Sequence, residues 1–469
     1  MKTLSTKIGS ELRSSFEKLA RPYEFQENEI LHKQQMYESN ARTYPRRFPL
    51  VIEKASGIYV RDTGGRVFYD CLCGAGALAL GHNHPAILQA IRETIDQEVP
   101  LLTLDITTPV KDRFVDDLLS SLPENFARNA KIQFCSPSGA DGIEAAIKLV
   151  KIATGKRGII AFQGSYHGMT HGALSVTGMV KNKENIQGLM PDVVFLPYPY
   201  DYRCPFGLGG EMGEQVNLHY MESLLKDPCS GLPPIAGVLV EVVQGEGGCI
   251  PAANSWMRGL REITLKYDIP LIVDEVQTGI GRTGNMFAFE RSGIVPDVIV
   301  VSKAIGGALP LSLIVYHNKY DKWPQGAHVG TFRGNQLAMA AGSAVLNVIR
   351  EEQLINNANI VGDYMLSECM HLQTRFPFIG DVRGRGLMVA AEIVNTKAEP
   401  DSRGKYPVRA QLALAIQYEC FRRGVIIELG GREDSTVRFL PPLTITLEQA
   451  GEIMNIFKES LTACAKMNL

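Results

Sequence analysis

Between Arg157 and Ser302 the chain alternates helical stretches with five short runs rich in Val and Ile: "RGIIAFQ", "DVVFLPY", "IAGVLVEVV", "IPLIVDEV" and "PDVIVVS". Runs that are apolar at nearly every position suit strands buried on both faces, as in a parallel sheet covered by helices on each side. The pattern therefore predicts an α/β fold built on a mainly parallel sheet. In such a sheet the residues just beyond the C-terminal strand ends converge on one crevice. Glu241, Asp274 and Lys303 all stand at or near such ends, so their chemistry is read together.

With 469 residues the chain has room for a large domain and a smaller companion. After about Arg350 the text changes to helix, "VRGRGLMVAAEIV", helix, "GVIIELGG", "TVRFLPPL" and a last helix from Leu447. This smaller α+β unit lacks a core of its own. It is expected to pack with the early stretch "GIYVRDTGGRVFYDCL", whose apolar residues alternate across a Gly64-Gly65 turn. At the start, Leu4, Ile8, Leu12 and Phe16 recur every four residues, predicting a helix that packs on the body or on another subunit.

The composition is 45% hydrophobic and 21% charged with net charge -2 and no block of like charge, so neither nucleic acid nor an anionic membrane is an expected partner. No apolar run reaches the roughly 18 to 20 residues of a bilayer span. The N-terminus lacks an apolar stretch with a cleavage site, and a cytoplasmic location is expected. The nine cysteines occur singly or as "CLC". That spacing favours neither a disulfide framework nor a zinc site, so they read as small buried hydrophobes, and no metal is expected.

"VIVVSKAIGGALP" poses the chemical question, because it carries Lys303 to the end of an apolar run. A lysine there is either a surface residue at a loop start or an amine held in a partly desolvated pocket, where it becomes a usable nucleophile. Three other stretches bear on the choice. "CSPSGADGIEAAIKLVK" leads through Ser138, Gly139 and Ala140 into a helix, which offers either an ordinary N-cap by Ser138 or free N–H groups for a phosphate. "FQGSYHGMTHG" places Tyr166 and His167 between glycines, as a ring-stacking aromatic or a plain loop aromatic. "LIVDEVQTGIGRTG" sets Asp274 and Glu275 at a strand end, where a desolvated Asp274 needs a positive partner such as a protonated ring nitrogen. Metal binding by that pair is the rival, although adjacent strand residues point to opposite faces. Together the four stretches ask for a cofactor with an aldehyde, a phosphate and a pyridinium, which is pyridoxal 5'-phosphate. A nicotinamide oxidoreductase would carry G-x-G-x-x-G between an early strand and helix, and no such segment is found.

These residues, with "LGHNHP", "EVVQGEGG", "SKAIGG", "GTFRGNQLA" and "VRGRGLM" between about Tyr44 and Leu443, resemble the class III (ω-type) aminotransferases of the fold-type I pyridoxal-phosphate enzymes. The resemblance implies a large domain with a seven-stranded, mainly parallel sheet and a smaller α+β domain. On that basis the expected division is a helical segment over 1–40, the N-terminal part of the small domain over 41–80, the cofactor-binding domain over 81–348 and the C-terminal small domain over 349–469. A homodimer with active sites shared between subunits is implied, with pairing into tetramers left open. Carried over by position, Lys303 would form the Schiff base and carry the proton, and Asp274 would keep the ring nitrogen protonated. Ser138, Gly139 and Ala140 would hold the phosphate, joined by Thr331 from the neighbouring subunit. Tyr166 and Val276 would flank the ring, Gln277 would lie near its hydroxyl, and His167 and Glu241 would complete the cofactor site.

Glu246 and Arg438 resemble the family's selectivity switch: paired, they mask the guanidinium while a terminal amine enters, and apart, they free Arg438 for the α-carboxylate of 2-oxoglutarate. Arg333, Tyr44 and Arg46 are further candidates for the substrate carboxylate. Ornithine and 4-aminobutyrate aminotransferases often carry an arginine where this chain has Met169, so those two substrates are disfavoured or must be held by another residue. "SPSGAD", "YHGMTHG", "YPYDYRCPFGLGG" and "GTFRGNQLAMAAG" are most similar to members of the family that act on L-2,4-diaminobutyrate and 2-oxoglutarate, including those serving siderophore or diaminopropane synthesis. The resemblance thus implies transfer of the terminal amine between these two. The alternatives are another ω-aminotransferase, an aminomutase of the same fold, or a non-catalytic module.

Overall fold

The computed structural model describes residues 2–467. The helix Lys2–Lys18 opens the chain and lies against the early strands. Leu12 and Phe16 on its apolar stripe are fully buried, and Phe16 meets Tyr69 edge-on with ring centroids 4.5 Å apart. The side chain of Leu4, the first member of that stripe, lies outside the described residues. β1 (Ile52–Ser56), β2 (Tyr59–Asp62) and β3 (Val67–Asp70) form an antiparallel meander. Its second turn is closed by Asp62, whose Oδ1 accepts from Gly64 N at 3.0 Å and Arg66 N at 2.9 Å, an Asx turn that suits the glycine pair.

The large sheet holds β4 (Ala130–Phe134), β5 (Gly158–Phe162), β6 (Val193–Leu196) and β7 (Ile235–Val240), followed after a small hairpin of β8 (Val243–Gln244) and β9 (Ile250–Pro251) by β10 (Leu271–Asp274), β11 (Val298–Val301) and β12 (Leu313–His317). Its order is β4-β12-β11-β10-β7-β5-β6. Only β12 runs antiparallel to its neighbours, so the other six strands share one direction. Alternation explains the unbroken apolar runs: Leu271, Val273, Ile299 and Val301 face one hydrophobic cluster, while Ile272, Val298 and Val300 face another. The helix Gly139–Thr154 covers that second face with Ile143, Ile147 and Val150.

The C-terminal part adds β13 (Ile379–Arg385), β14 (Met388–Ile393), β15 (Val425–Ile426), β16 (Glu428–Gly430) and β17 (Thr436–Phe439). Four of these make a separate sheet in the order β13-β14-β17-β16, whereas β15 pairs in parallel with β3. The late unit and the early strands are thus one piece of structure. All nine cysteines are free; seven are buried, Cys204 is half-buried and Cys229 exposed. Among the described residues no helix is long and apolar enough to cross a membrane.

Candidate active site

Because β4, β5, β7, β10 and β11 run the same way, their C-terminal ends share one edge of the sheet. Each is followed by residues singled out above: Ser138 to Ala140 after β4, Tyr166 and His167 after β5, Glu241 after β7, Asp274 at the end of β10 and Lys303 after β11. All of them line a single cavity of about 470 Å³, together with Glu246, Val276 and Gln277. That is ample room for a small cofactor and part of a substrate.

Lys303 opens a short 3-10 turn, Lys303–Gly306, with left-handed backbone at φ 51°. Such a conformation is costly for a residue with a Cβ and clusters at functional sites. Burial pushes its ammonium pKa below the ordinary value against the opposing pull of Glu246 and Asp274, so the amine is easier to free than an exposed lysine's. Asp274 is buried and doubly engaged: its Oδ2 lies 2.7 Å from His167 Nδ1, and its Oδ1 accepts from Val276 N at 3.0 Å. Glu275 turns the other way and accepts from Phe289 N at 3.1 Å and from the Thr278 hydroxyl. The two adjacent carboxylates therefore do not form a joint metal site, and among the described residues no cluster of His, Cys, Asp and Glu is arranged to hold one. Glu241 ties two loops to the strand end by accepting from Tyr166 N and Gly245 N, each at 2.9 Å. Burial pushes its carboxyl up to about 7, with His167 pulling it down and Asp274 adding to the rise.

At the helix start the Ser138 side chain makes no capping bond. The N–H groups of Gly139 and Ala140 precede the first intrahelical bond, so this end of the helix faces the cavity uncapped. Gly139 is required by close approach: a Cβ there would lie 2.8 Å from Val276 Cγ1. Tyr166 is half-buried, and burial followed by the nearby Glu246 charge raises its phenol pKa. Gln277 donates to Ala75 O at 3.0 Å. Its Oε1 and His167 Nε2 are buried without a protein partner. Orphaned polar atoms on a cavity wall are what a ligand-completed site leaves in the protein alone. Carboxylate, amine, uncapped helix end and flanking side chains fit a flat, phosphate-bearing nitrogen heterocycle.

Arg438 stands behind Glu246. It lies in β17, fully buried, with Nη2 2.8 Å from Glu246 Oε2, while its Nε and Nη1 have no partner. Burial alone would lift the Glu246 pKa, but the charges of Arg438 and Lys303 hold it below the ordinary carboxylate value. A second carboxylate, Glu428, sits directly across the strand pair in register with Arg438.

The remaining substrate candidates are placed differently. Tyr44 donates to Glu428 Oε2 at 3.2 Å, next to the Arg438 cluster. Arg46 is not brought to the cavity: its guanidinium donates to Asn40 O at 2.7 Å and Arg42 O at 2.6 Å. On the short helix Tyr44–Arg47 one further residue rotates by about 100°, so Arg47 is the arginine that faces inward, 3.1 Å from Asp434 and 3.9 Å from Glu428. Arg333 is also outside this chain's cavity, held by Asp105 at 2.5 and 2.7 Å and by Gly330 O at 2.7 Å. Thr331 lies exposed on the same turn. Sequence reasoning missed Glu428 and Arg47. The signal for Glu428 was a lone carboxylate in the apolar run "GVIIELGG".

A strand-end lysine, a buried aspartate and an uncapped helix end on one sheet edge define a cofactor-dependent group-transfer site. A family model for "Aminotransferase class-III" matches residues 40–461, and the chain belongs to the class-III aminotransferases. It is 51% identical to the diaminobutyrate--2-oxoglutarate aminotransferase of Rhizobium meliloti (strain 1021) over 89% of this chain and 88% of that one. It is 47% identical to the enzyme of the same description from Haemophilus influenzae, over 93% and 96%. Among solved structures, an amine transaminase from an uncultivated Pseudomonas species in its PLP-bound form is similar, with TM-score 0.81, 28% identity and coverage of 91% of this chain and 98% of that one.

Proposed function

We propose that this protein is a pyridoxal-phosphate-dependent aminotransferase that moves the terminal amino group between L-2,4-diaminobutyrate and 2-oxoglutarate. In the biosynthetic direction, aspartate 4-semialdehyde and glutamate give L-2,4-diaminobutyrate and 2-oxoglutarate, supplying siderophore or diaminopropane synthesis. The observation that carries the reading is the meeting of Lys303, Asp274 and the Glu246–Arg438 pair in and behind one cavity of a chain half identical to enzymes of that description.

When bound, pyridoxal phosphate supplies an electron sink for the carbon that bears the transferred amine. Lys303 Nζ, with its lowered pKa, would take the proton from that carbon and deliver it to the carbon on the far side of the nitrogen, the 1,3-shift that lets the amine change owner. Asp274, fixed by His167 and Val276 N, would hold the proton of the ring nitrogen. Gly139 and Ala140 N–H groups, with Ser138, would bind the phosphate at the uncapped helix start, joined by Thr331 of a second subunit. Tyr166 and Val276 would flank the ring and Gln277 would lie near its hydroxyl, all three lining the cavity. Arg438, masked by Glu246 for the amine donor, takes the α-carboxylate of 2-oxoglutarate when unmasked. Its free Nε and Nη1 support that second role.

The active form on this reading is a cytoplasmic homodimer, with a helical segment over 1–40 and a small domain formed by 41–80 and 349–469 flanking the cofactor-binding part over 81–348. The pairing of β15 with β3 supports that division.

The test is a single-turnover experiment in which the cofactor's visible absorbance is followed after adding L-2,4-diaminobutyrate, ornithine, 4-aminobutyrate or glutamate. Fast conversion by L-2,4-diaminobutyrate and glutamate is expected. A faster response to ornithine or 4-aminobutyrate overturns the donor, and no response to any of them overturns the reaction.

A further inference from the structure

The loop that carries Glu246, residues 245–249, joins β8 to β9, and the C-terminal part of the chain grips three of its backbone oxygens one after another. Gly431 N donates to Glu246 O at 2.8 Å, Arg432 Nη1 to Gly247 O at 3.3 Å and Arg383 Nε to Gly248 O at 2.8 Å. Gly431 and Arg432 follow β16, Arg383 lies in β13, and Arg438 lies in β17 of the same sheet. Loop and switch arginine are therefore fastened to one frame. The fit is close: a Cβ on Gly248 would lie 2.8 Å from Arg383 Nη2.

The two gripping guanidiniums are themselves fixed. Arg383 Nη1 lies 2.7 Å from Asp381 and its Nη2 3.0 Å from Glu392. Arg203 Nε donates to the other oxygen of Glu392 at 2.6 Å, and the Tyr200 hydroxyl also donates to that carboxylate. The guanidinium carbons of Arg383 and Arg432 lie 4.9 and 5.3 Å from the centre of the Tyr200 ring, within cation–π range. Tyr200 and Arg203 belong to "YPYDYRC" and do not line the cavity. Their network ends at the carbonyls beside Glu246.

We propose that Arg432 and Arg383 are positioning residues for choice of the amine donor: they hold the backbone of residues 246–248 so that Glu246 covers and uncovers Arg438 by moving its side chain alone. The proposal rests on reading Glu246 and Arg438 as the switch. A single 2.8 Å contact masks Arg438, and a loop that drifted by about an ångström would lose it, since charge-assisted bonds of this kind are short. The open guanidinium would then accept the donor's own carboxylate and admit the donor wrong end first. The 2-oxoglutarate half-reaction, in which Glu246 is displaced in any case, would be spared.

The test uses the cofactor-loaded enzyme with Arg432→Met. For the terminal-amine donor that the wild type turns over fastest, kcat/KM of the half-reaction is expected to fall about tenfold, while that for 2-oxoglutarate stays within about twofold. Glutarate, a dicarboxylate without a keto group, is expected to bind the variant more tightly by calorimetry. Glu246→Ala should shift both readouts the same way, and the double variant should fall no further than Glu246→Ala alone. Equal losses in both half-reactions, weaker glutarate binding, or effects that multiply in the double variant overturn the proposal. If Glu246→Ala leaves the donor-to-acceptor ratio unchanged, the switch reading fails and this proposal fails with it. Should Arg432→Met not fold, Arg383→Lys loosens Gly248 while keeping a charge beside Glu392, and the same outcomes decide.

Discussion

At the scale of single residues the site is defined by where charge is left without solvent. Lys303 combines a left-handed backbone, a position at the cavity wall and a lowered pKa, and among the described residues no second lysine lines the cavity. Lys303→Ala is therefore expected to cut turnover by at least about 10³-fold and to abolish the visible absorbance of the bound cofactor, both measurable on purified protein. A variant that kept wild-type turnover would remove Lys303 from the chemistry. That Lys303 and Asp274 meet at one cavity was legible only from four stretches taken together, since a lone lysine after an apolar run suits a surface loop start equally well. Arg46 was misplaced because nothing in "TYPRRFP" tells which of two adjacent arginines faces inward; the contact of Arg47 with Asp434, far away in sequence, decides it. The bond from His167 to Asp274 likewise joins residues 107 positions apart, a distance that no local pattern reports.

At the scale of elements, strands of a covered sheet announce themselves as unbroken apolar runs, so β5, β7, β10 and β11 were legible, and so was β6, which is half-buried at the sheet edge. The direction of β12 was not, since an antiparallel strand inside a covered sheet has the same composition as a parallel one. The turn after β10 carries a testable consequence. Glu275 is buried with its carboxyl pushed up to about 7 from an ordinary 4.5, first by burial, against donors from Thr278, Ala288 and Phe289. A raised folded-state pKa means that the protonated form suits the fold. This contribution to stability is complete below about 4.5 and is lost as pH rises through about 7. Glu275→Gln removes the titration, so its stability relative to the wild type should rise across that window, by up to about 3 kcal/mol. Glu241 titrates in both proteins and drops out of the difference. Urea unfolding at pH 5 and pH 8 checks it, and a difference that does not change with pH would show that Glu275 stays ionised in the fold.

At the scale of the whole molecule, one face gathers exposed apolar side chains from two segments of the chain. Leu101, Leu104, Ile106, Val329 and Phe332 are 55%, 43%, 74%, 60% and 59% exposed. They come from two segments that the structure joins: Gln336 N donates to Leu101 O at 3.0 Å, Thr103 N to Gly334 O at 3.2 Å, and Arg333 pairs with Asp105. An exposed apolar patch of this kind marks a contact surface. It also surrounds Thr331, which the family resemblance assigns to the neighbouring subunit's phosphate site and which does not line this chain's own cavity. A dimer formed through this face would bury the patch and carry Thr331 to a second cavity in one step. Light scattering should then give twice the 51.5 kDa of one chain. Phe332→Asp places a charge at the centre of the patch without touching the cavity, so it should yield single chains with weakened cofactor retention and little turnover. Adding excess pyridoxal phosphate should restore absorbance more than activity, because the cavity would still lack its second subunit. A Phe332→Asp monomer with full turnover would mean that each chain completes its own site, and Thr331 would then need another role.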